Sequence, residues 1–131
     1  MTSLRFSASI SDATVAEIEK ELPASTKHGA DIRFHGVVRD SEEGKPITGI
    51  DYSFYEGMAL RELNRIGEAM TNKYPDHLAF VHHQVGFVEA GVASILIRVQ
   101  TTHSAEGFEI AREYLRRIKE TVPIWKEVVY L

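Results

Sequence analysis

Lys119 and Lys126 are the residues whose placement most invites chemistry. Both fall at the edge of apolar patterns, and between them Val122-Pro123 stops a helix. In a helix from about Ser104 to Thr121, at about 100° per residue, Lys119 lies about 60° from the middle of an apolar stripe. Phe108, Ala111, Leu115, Ile118 and Val122 form that stripe. An amine there either snorkels, with its stem packed and its head in water, or stands at the edge of a pocket where it binds an anion. Arg112 and Arg116 lie near the same rim. On a strand over Ile124 to Tyr130, Lys126 shares a face with Ile124 and Val128, so the two amines can converge across the corner at Pro123. Trp125 then points the other way and is expected to anchor the core. Arg39 ends the run Phe34-His35-Gly36-Val37-Val38-Arg39 and joins such a site only by meeting the lysines. Gly36 within that run implies a close approach to the backbone.

Six histidines raise the question of a metal. His82 and His83 are adjacent, so on a strand they face opposite sides and cannot share one ion. No HExxH or paired-carboxylate motif accompanies them, and no metal site is expected. His103 sits at the entry to the helix from Ser104, near its positive end. It is placed either to hold a phosphate or move a proton, or simply to make local hydrogen bonds.

The bulk properties narrow the classes. A chain of 131 residues suits one domain with one core. A net charge of -4 argues against a general nucleic-acid binder. With no cysteine there is no disulfide framework, thiolate metal site or cysteine nucleophile, so any sulfur handled here comes from elsewhere. No run approaches the about 20 apolar residues of a membrane span, and the N-terminus has no signal-peptide pattern; a cytoplasmic location is the expectation.

The elements that must position these side chains follow from periodicity. Leu4 to Ile10 reads as a strand, and Ser11 or Asp12 as the cap of a short helix burying Val15, Ile18 and Leu22. Ala30 to Val38 reads as a strand, Ser41 to Lys45 as a turn, and Ile47 to Tyr55 as a strand pairing back on the first. Gly57 opens a helix with Leu60, Leu63, Ile66 and Met70 inward, ended by Tyr74-Pro75. Leu78 to Val85 and Ala93 to Thr101 are strands around Gly86 and Gly91. The order implies an α+β fold rather than a doubly wound parallel sheet. The residues alone describe an anion-binding α+β domain.

From Gly29 onward the chain is similar to the large (catalytic) subunit family of molybdopterin synthases. Gly29-Ala30 and Phe34-x-Gly36-x-Val38-Arg39 match that family's opening strand, and Tyr52-x-x-Tyr55-x-x-Met58-Ala59 its passage from strand to helix. His83-x-Val85-Gly86 sits at its His-Arg-x-Gly turn. His103-Ser104-Ala105-Glu106-Gly107-Phe108-Glu109 resembles its segment from His-Arg to Ala-Phe-Glu. The most specific piece is Lys119-Glu120-Thr121-Val122-Pro123-Ile124-Trp125-Lys126-Glu127.

The resemblance implies one domain over residues 1–131, an α/β-hammerhead-type fold with a mostly antiparallel sheet and three helices. It implies a sulfurtransferase. The partner would be a ubiquitin-like small subunit whose Gly-Gly C-terminus is a thiocarboxylate, with two large subunits forming a homodimer inside a heterotetramer. The substrate would be cyclic pyranopterin monophosphate, converted to the dithiolene of molybdopterin, with no permanently bound cofactor or metal and no nucleic acid or membrane. Lys119 and Lys126 would be catalytic; Arg39, His103, Ser104, Glu127, Val128, Val37 and Val38 would hold substrate. Ser104 and Gln84 stand where the family usually has arginine, Glu127 where it has a second lysine, and the chain ends at Leu131, before the family's usual tail. Those departures favour a second reading, a non-catalytic homologue that only docks the carrier.

Overall fold

Residues 5–131 are described by the computed structural model. In chain order the elements are β1 (Phe6–Ser11), α1 (Val15–Glu21), β2 (Ala30–Val37), β3 (Ser41–Glu42), β4 (Lys45–Phe54), α2 (Glu56–Lys73), β5 (Leu78–Gln84), β6 (Gly86–Glu89), β7 (Ala93–Thr101), α3 (Ser104–Thr121) and β8 (Ile124–Tyr130). Leu4, expected to begin the first strand, lies outside the described residues. The α+β expectation holds: three helices accompany two sheets in which only β1 with β5 is parallel.

The larger sheet runs β1-β5-β7-β2. Its inner face carries Ala79, Val81, Ile95, Ile97 and Val99, covered by Ala59, Leu63, Ile66 and Met70 of α2 and Ile110, Ala111, Tyr114 and Ile118 of α3. The second sheet is built on β4, which pairs antiparallel with β3, β6 and β8. It holds a smaller core of Val38, Ile47, Ile50, Tyr52 and Val88.

Four expectations are corrected. First, β4 does not pair back on β2; β2 pairs with β7, and β4 joins the other sheet. Alternation marks both as strands but does not say which neighbour each takes. Second, the cap of α1 is Thr14, not Ser11 or Asp12. Its side chain accepts from the Glu17 backbone while Glu17 reaches back to the Thr14 N–H, a capping box, and Leu22 is the C-cap. Third, one member of each expected helix stripe faces out, while Leu63, Ile66, Met70, Ala111, Ile118 and Val122 are buried as the periodicity implies. Leu60 and Phe108 are exposed, Phe108 at 63%, and small residues (Ala59, Gly67, Gly107, Ala111) occupy the tight contacts. Fourth, Trp125 does not anchor the core but is 55% exposed. The buried face of β8 is the one carrying Ile124 and Val128.

Gly67 shows how closely α2 docks. A Cβ built there would overlap the ring of Phe6, which is buried and stacked on Tyr114 with centroids 5.8 Å apart. Alanine is favoured over glycine in a helix by about 1 kcal/mol, but overpacking a filled core costs about 1–3 kcal/mol. Gly67→Ala is therefore expected to lower stability in urea unfolding, and Gly67→Ala with Phe6→Leu to recover part of the loss. A rise in stability for the single variant would mean the helix slides freely over β1.

Candidate active site

The lower end of α3, the start of β8 and the ends of β2 and β4 meet where the two sheets adjoin. Three features of the chain make the corner. Ile118 is fully packed, which fixes the last turn of α3 and leaves Lys119 at the rim. The Val122 N–H closes the helix on the Ile118 carbonyl, and Pro123 turns the chain into β8. The register of β2 on β7 shifts between Gly36 and Val37, where the Ile95 side chain crosses the face that a Gly36 side chain would occupy. The close approach expected at Gly36 is this one. The shift lets the strand leave the sheet and carry Arg39 toward β8.

A cavity of about 480 Å³ opens at this corner, within the range of small-molecule sites. Arg39, Lys119 and Lys126 line it, together with Val37, Tyr52, His83, Ser94 and apolar residues of β2, β7, α3 and β8. No Asp or Glu is among its lining residues. Three cations around a half-apolar recess make a place where an anion can be held by converging positive charge. A second recess of about 150 Å³ adjoins it, lined by Val37, Val38, Arg39, Lys126 and Val128 among others. Arg39 is mostly exposed and its nearest carboxylate, Glu42, is 3.8 Å away, a loose surface pair. Its guanidinium is available to a ligand.

The expected site residues therefore divide. Lys119, Lys126, Arg39 and Val37 meet at the cavity, and Val38 and Val128 line the adjoining recess. Glu127 does not join them; it alternates with Lys126 and Val128, is exposed, and pairs in register with Asp51. His103 and Ser104 are at the other end of α3, about 24 Å along the axis from Lys119 at 1.5 Å per residue. His103 is the N-cap residue without a side-chain capping bond. Within one chain neither residue reaches the cavity.

Sequence reasoning gives His83 a place in a family turn and weighs it as a metal ligand, but does not put it in the site. His82 and His83 do face opposite sides. His82 donates from Nε2 to the Ala13 carbonyl at 2.8 Å and accepts at Nδ1 from Ser9 Oγ at 2.7 Å, tying the approach to α1 onto β5. His83 is buried in the cavity wall, with the rings of Tyr52 and Phe54 edge-on at 4.8 Å each. Among the described residues no group of three or more His, Cys, Asp or Glu could hold a metal ion. No helix among them is long and apolar enough to cross a membrane.

A family model described as MoaE protein matches residues 8–121. The chain belongs to the MoaE protein family. Among its relatives is a molybdopterin synthase catalytic subunit of Taeniopygia guttata, 36% identical over 119 residues that cover 89% of this chain and 76% of that one. Another of the same name from Halalkalibacterium halodurans is 32% identical over 127 residues, 97% of this chain and 81% of that one. The crystal structure of molybdopterin synthase from Staphylococcus aureus superposes with a TM-score of 0.85 at 28% identity, covering 93% of this chain and 90% of that chain. The matched region carries Arg39, Lys119 and the helix joining Ser104 to Thr121. In this chain the fold places two lysines and an arginine around one recess.

Proposed function

We propose that this chain works as the catalytic subunit of a molybdopterin synthase, and that the cavity at the α3–β8 corner is where sulfur is transferred. The observation that carries this reading is the meeting of Lys119, Lys126 and Arg39 around a cavity lined by no carboxylate. Both reactants are anions. The thiocarboxylate ending the Gly-Gly tail of a ubiquitin-like carrier, and the cyclic phosphate of the pterin, need fixed positive charge where water is scarce. The narrower recess past Val38 and Val128 suits an extended diglycine tail. The chain's lack of cysteine fits a reaction whose sulfur arrives on the carrier.

The carrier's sulfur attacks a pterin carbon that bears oxygen. A C–S bond forms as the C–O bond at that carbon breaks, its electron pair leaving with the oxygen. The sulfur is left joining the pterin to the carrier's glycine as a thioester. Lys119 stabilises the oxyanion that develops when that acyl carbon is attacked in turn; Lys126 and Arg39 hold the phosphate and the incoming tail. Two rounds give the dithiolene. His103 and Ser104 contribute from a second copy, so the working unit is a homodimer binding one carrier per subunit, in the cytoplasm. Reconstitution with thiocarboxylated carrier and cyclic pyranopterin monophosphate tests this. A product carrying two new sulfur atoms by mass supports it. Carrier binding without any product would favour the docking homologue.

Ser104→Arg probes the dimer. An added guanidinium–phosphate pair contributes about 1.5–3 kcal/mol, so the apparent KM for the pterin is expected to fall about tenfold with kcat similar. An unchanged KM would remove this end of α3 from the binding site.

A further inference from the structure

We propose that His83 is the proton acceptor of the sulfur-transfer reaction, taking the proton of the water that releases the carrier. The inference rests on the function proposed above and adds a residue to it. His83 Nδ1 lies 2.9 Å from the Gln84 carbonyl. A carbonyl only accepts, so Nδ1 carries the hydrogen and the neutral ring keeps its lone pair on Nε2. Nε2 has no hydrogen-bond partner among the described residues, yet it is not a buried unpartnered atom. It keeps solvent contact, and the opening beside the ring is the cavity that His83 lines.

The surroundings keep the ring neutral, which leaves the lone pair free and makes it a weaker base than a solvated imidazole, so the proton is held only in passing. Burial pushes its pKa down to about 4, and the charge of Lys126 acts in the same direction. The backbone bond to Gln84 opposes this without overcoming it. Tyr52, whose ring abuts His83, is the cross-strand partner of Lys126, so imidazole and amine share one stretch of wall. Protonated lysine and arginine offer donors and no acceptor. Since no carboxylate lines the cavity, His83 is the lining side chain with a nitrogen lone pair free to take a proton.

The reaction needs one. Water attacks the acyl carbon of the carrier–pterin thioester, and a C–O bond forms. The C–S bond breaks, its electron pair leaving with sulfur as a pterin thiolate, and the water's proton passes to Nε2. The carrier departs with an ordinary carboxyl terminus, and the imidazolium returns its proton to solvent. No oxidant or reductant is required.

His83→Phe keeps a ring between Tyr52 and Phe54 and removes the acceptor; His83→Gln is the second variant should the first fail to fold. Carrier binding, single-turnover sulfur transfer and intact-mass detection of the carrier–pterin adduct are measured together. General-base loss predicts kcat lowered about 100-fold with KM unchanged, and adduct accumulating. Unchanged kcat in an active system overturns the proposal. So does a loss expressed in KM with no adduct, which would mark a packing role. An inactive wild type would sink the proposed function first, and this proposal with it.

Discussion

Replacing Lys119 by alanine is expected to lower the sulfur-transfer rate at least about 100-fold while the chain keeps its fold and its affinity for the carrier. The two halves of that expectation have separate origins. Lys119 is exposed at the rim of α3, next to the fully packed Ile118, and none of the described ion pairs includes it. Its removal takes away a charge and some stem packing but no core volume, an effect of about 0.5 kcal/mol or less on stability. In the mechanism proposed above, the same charge sits at the cavity where negative charge develops on the attacked acyl oxygen. A preorganised group in that position is commonly worth about 3 kcal/mol of the barrier. Single-turnover kinetics with carrier binding in parallel separates the two. A Lys119→Ala variant that binds carrier and still transfers sulfur at the wild-type rate would move the chemistry elsewhere.

The second large effect is on stability against pH. His83 has its pKa lowered from 6.5 to about 4 by burial. Between those values the unfolded chain binds a proton at this position and the folded chain does not. Stability therefore rises with pH across that window and is lost on acidification from about pH 6.5 toward 4. A shift of this size is worth roughly 3 kcal/mol over the window. His77 adds in the same direction: burial lowers it, while its Nδ1 donates to the Tyr74 carbonyl and Tyr114 donates to Nε2 at 2.6 Å. Carboxylates such as Asp31, held at about 2 chiefly by the Arg98 guanidinium, are lost only at lower pH. Urea midpoints at pH 7 and pH 4.5 should differ strongly in wild type and clearly less in His83→Phe. Equal slopes would mean that His83 is not buried as a neutral ring.

Much of the site was legible because its parts are local. The α3 stripe ends at Val122-Pro123, and alternation in Ile124 to Tyr130 puts Lys126 among apolar neighbours, so the lysine corner follows from two periodicities and a stop signal. What failed was information that one strand does not contain. Ala30 to Val37 and Lys45 to Phe54 read as neighbours because they are close in sequence, yet each finds its partners in a distant segment. Trp125 reads as inward because large aromatics usually are. On β8 the covered face is the one with Lys126, and an exposed tryptophan marks the uncovered face. His83 was hidden for a related reason: only the assembled wall of β4, β5 and β8 shows which of the two adjacent histidines faces the cavity. Glu127 and Lys126 are adjacent in sequence, and the same alternation separates them.

The most direct measurement is the structure of the complex with a carrier ending in Gly-Gly. The tail is expected to run past Val38 and Val128 into the cavity of about 480 Å³. Its terminal carbonyl carbon should lie beside the Lys119 amine, with a terminal oxygen within hydrogen-bond reach, about 3 Å. A tail seated anywhere else on the chain, leaving Lys119 and Lys126 unoccupied, would contradict the assignment of this corner as the place of sulfur transfer.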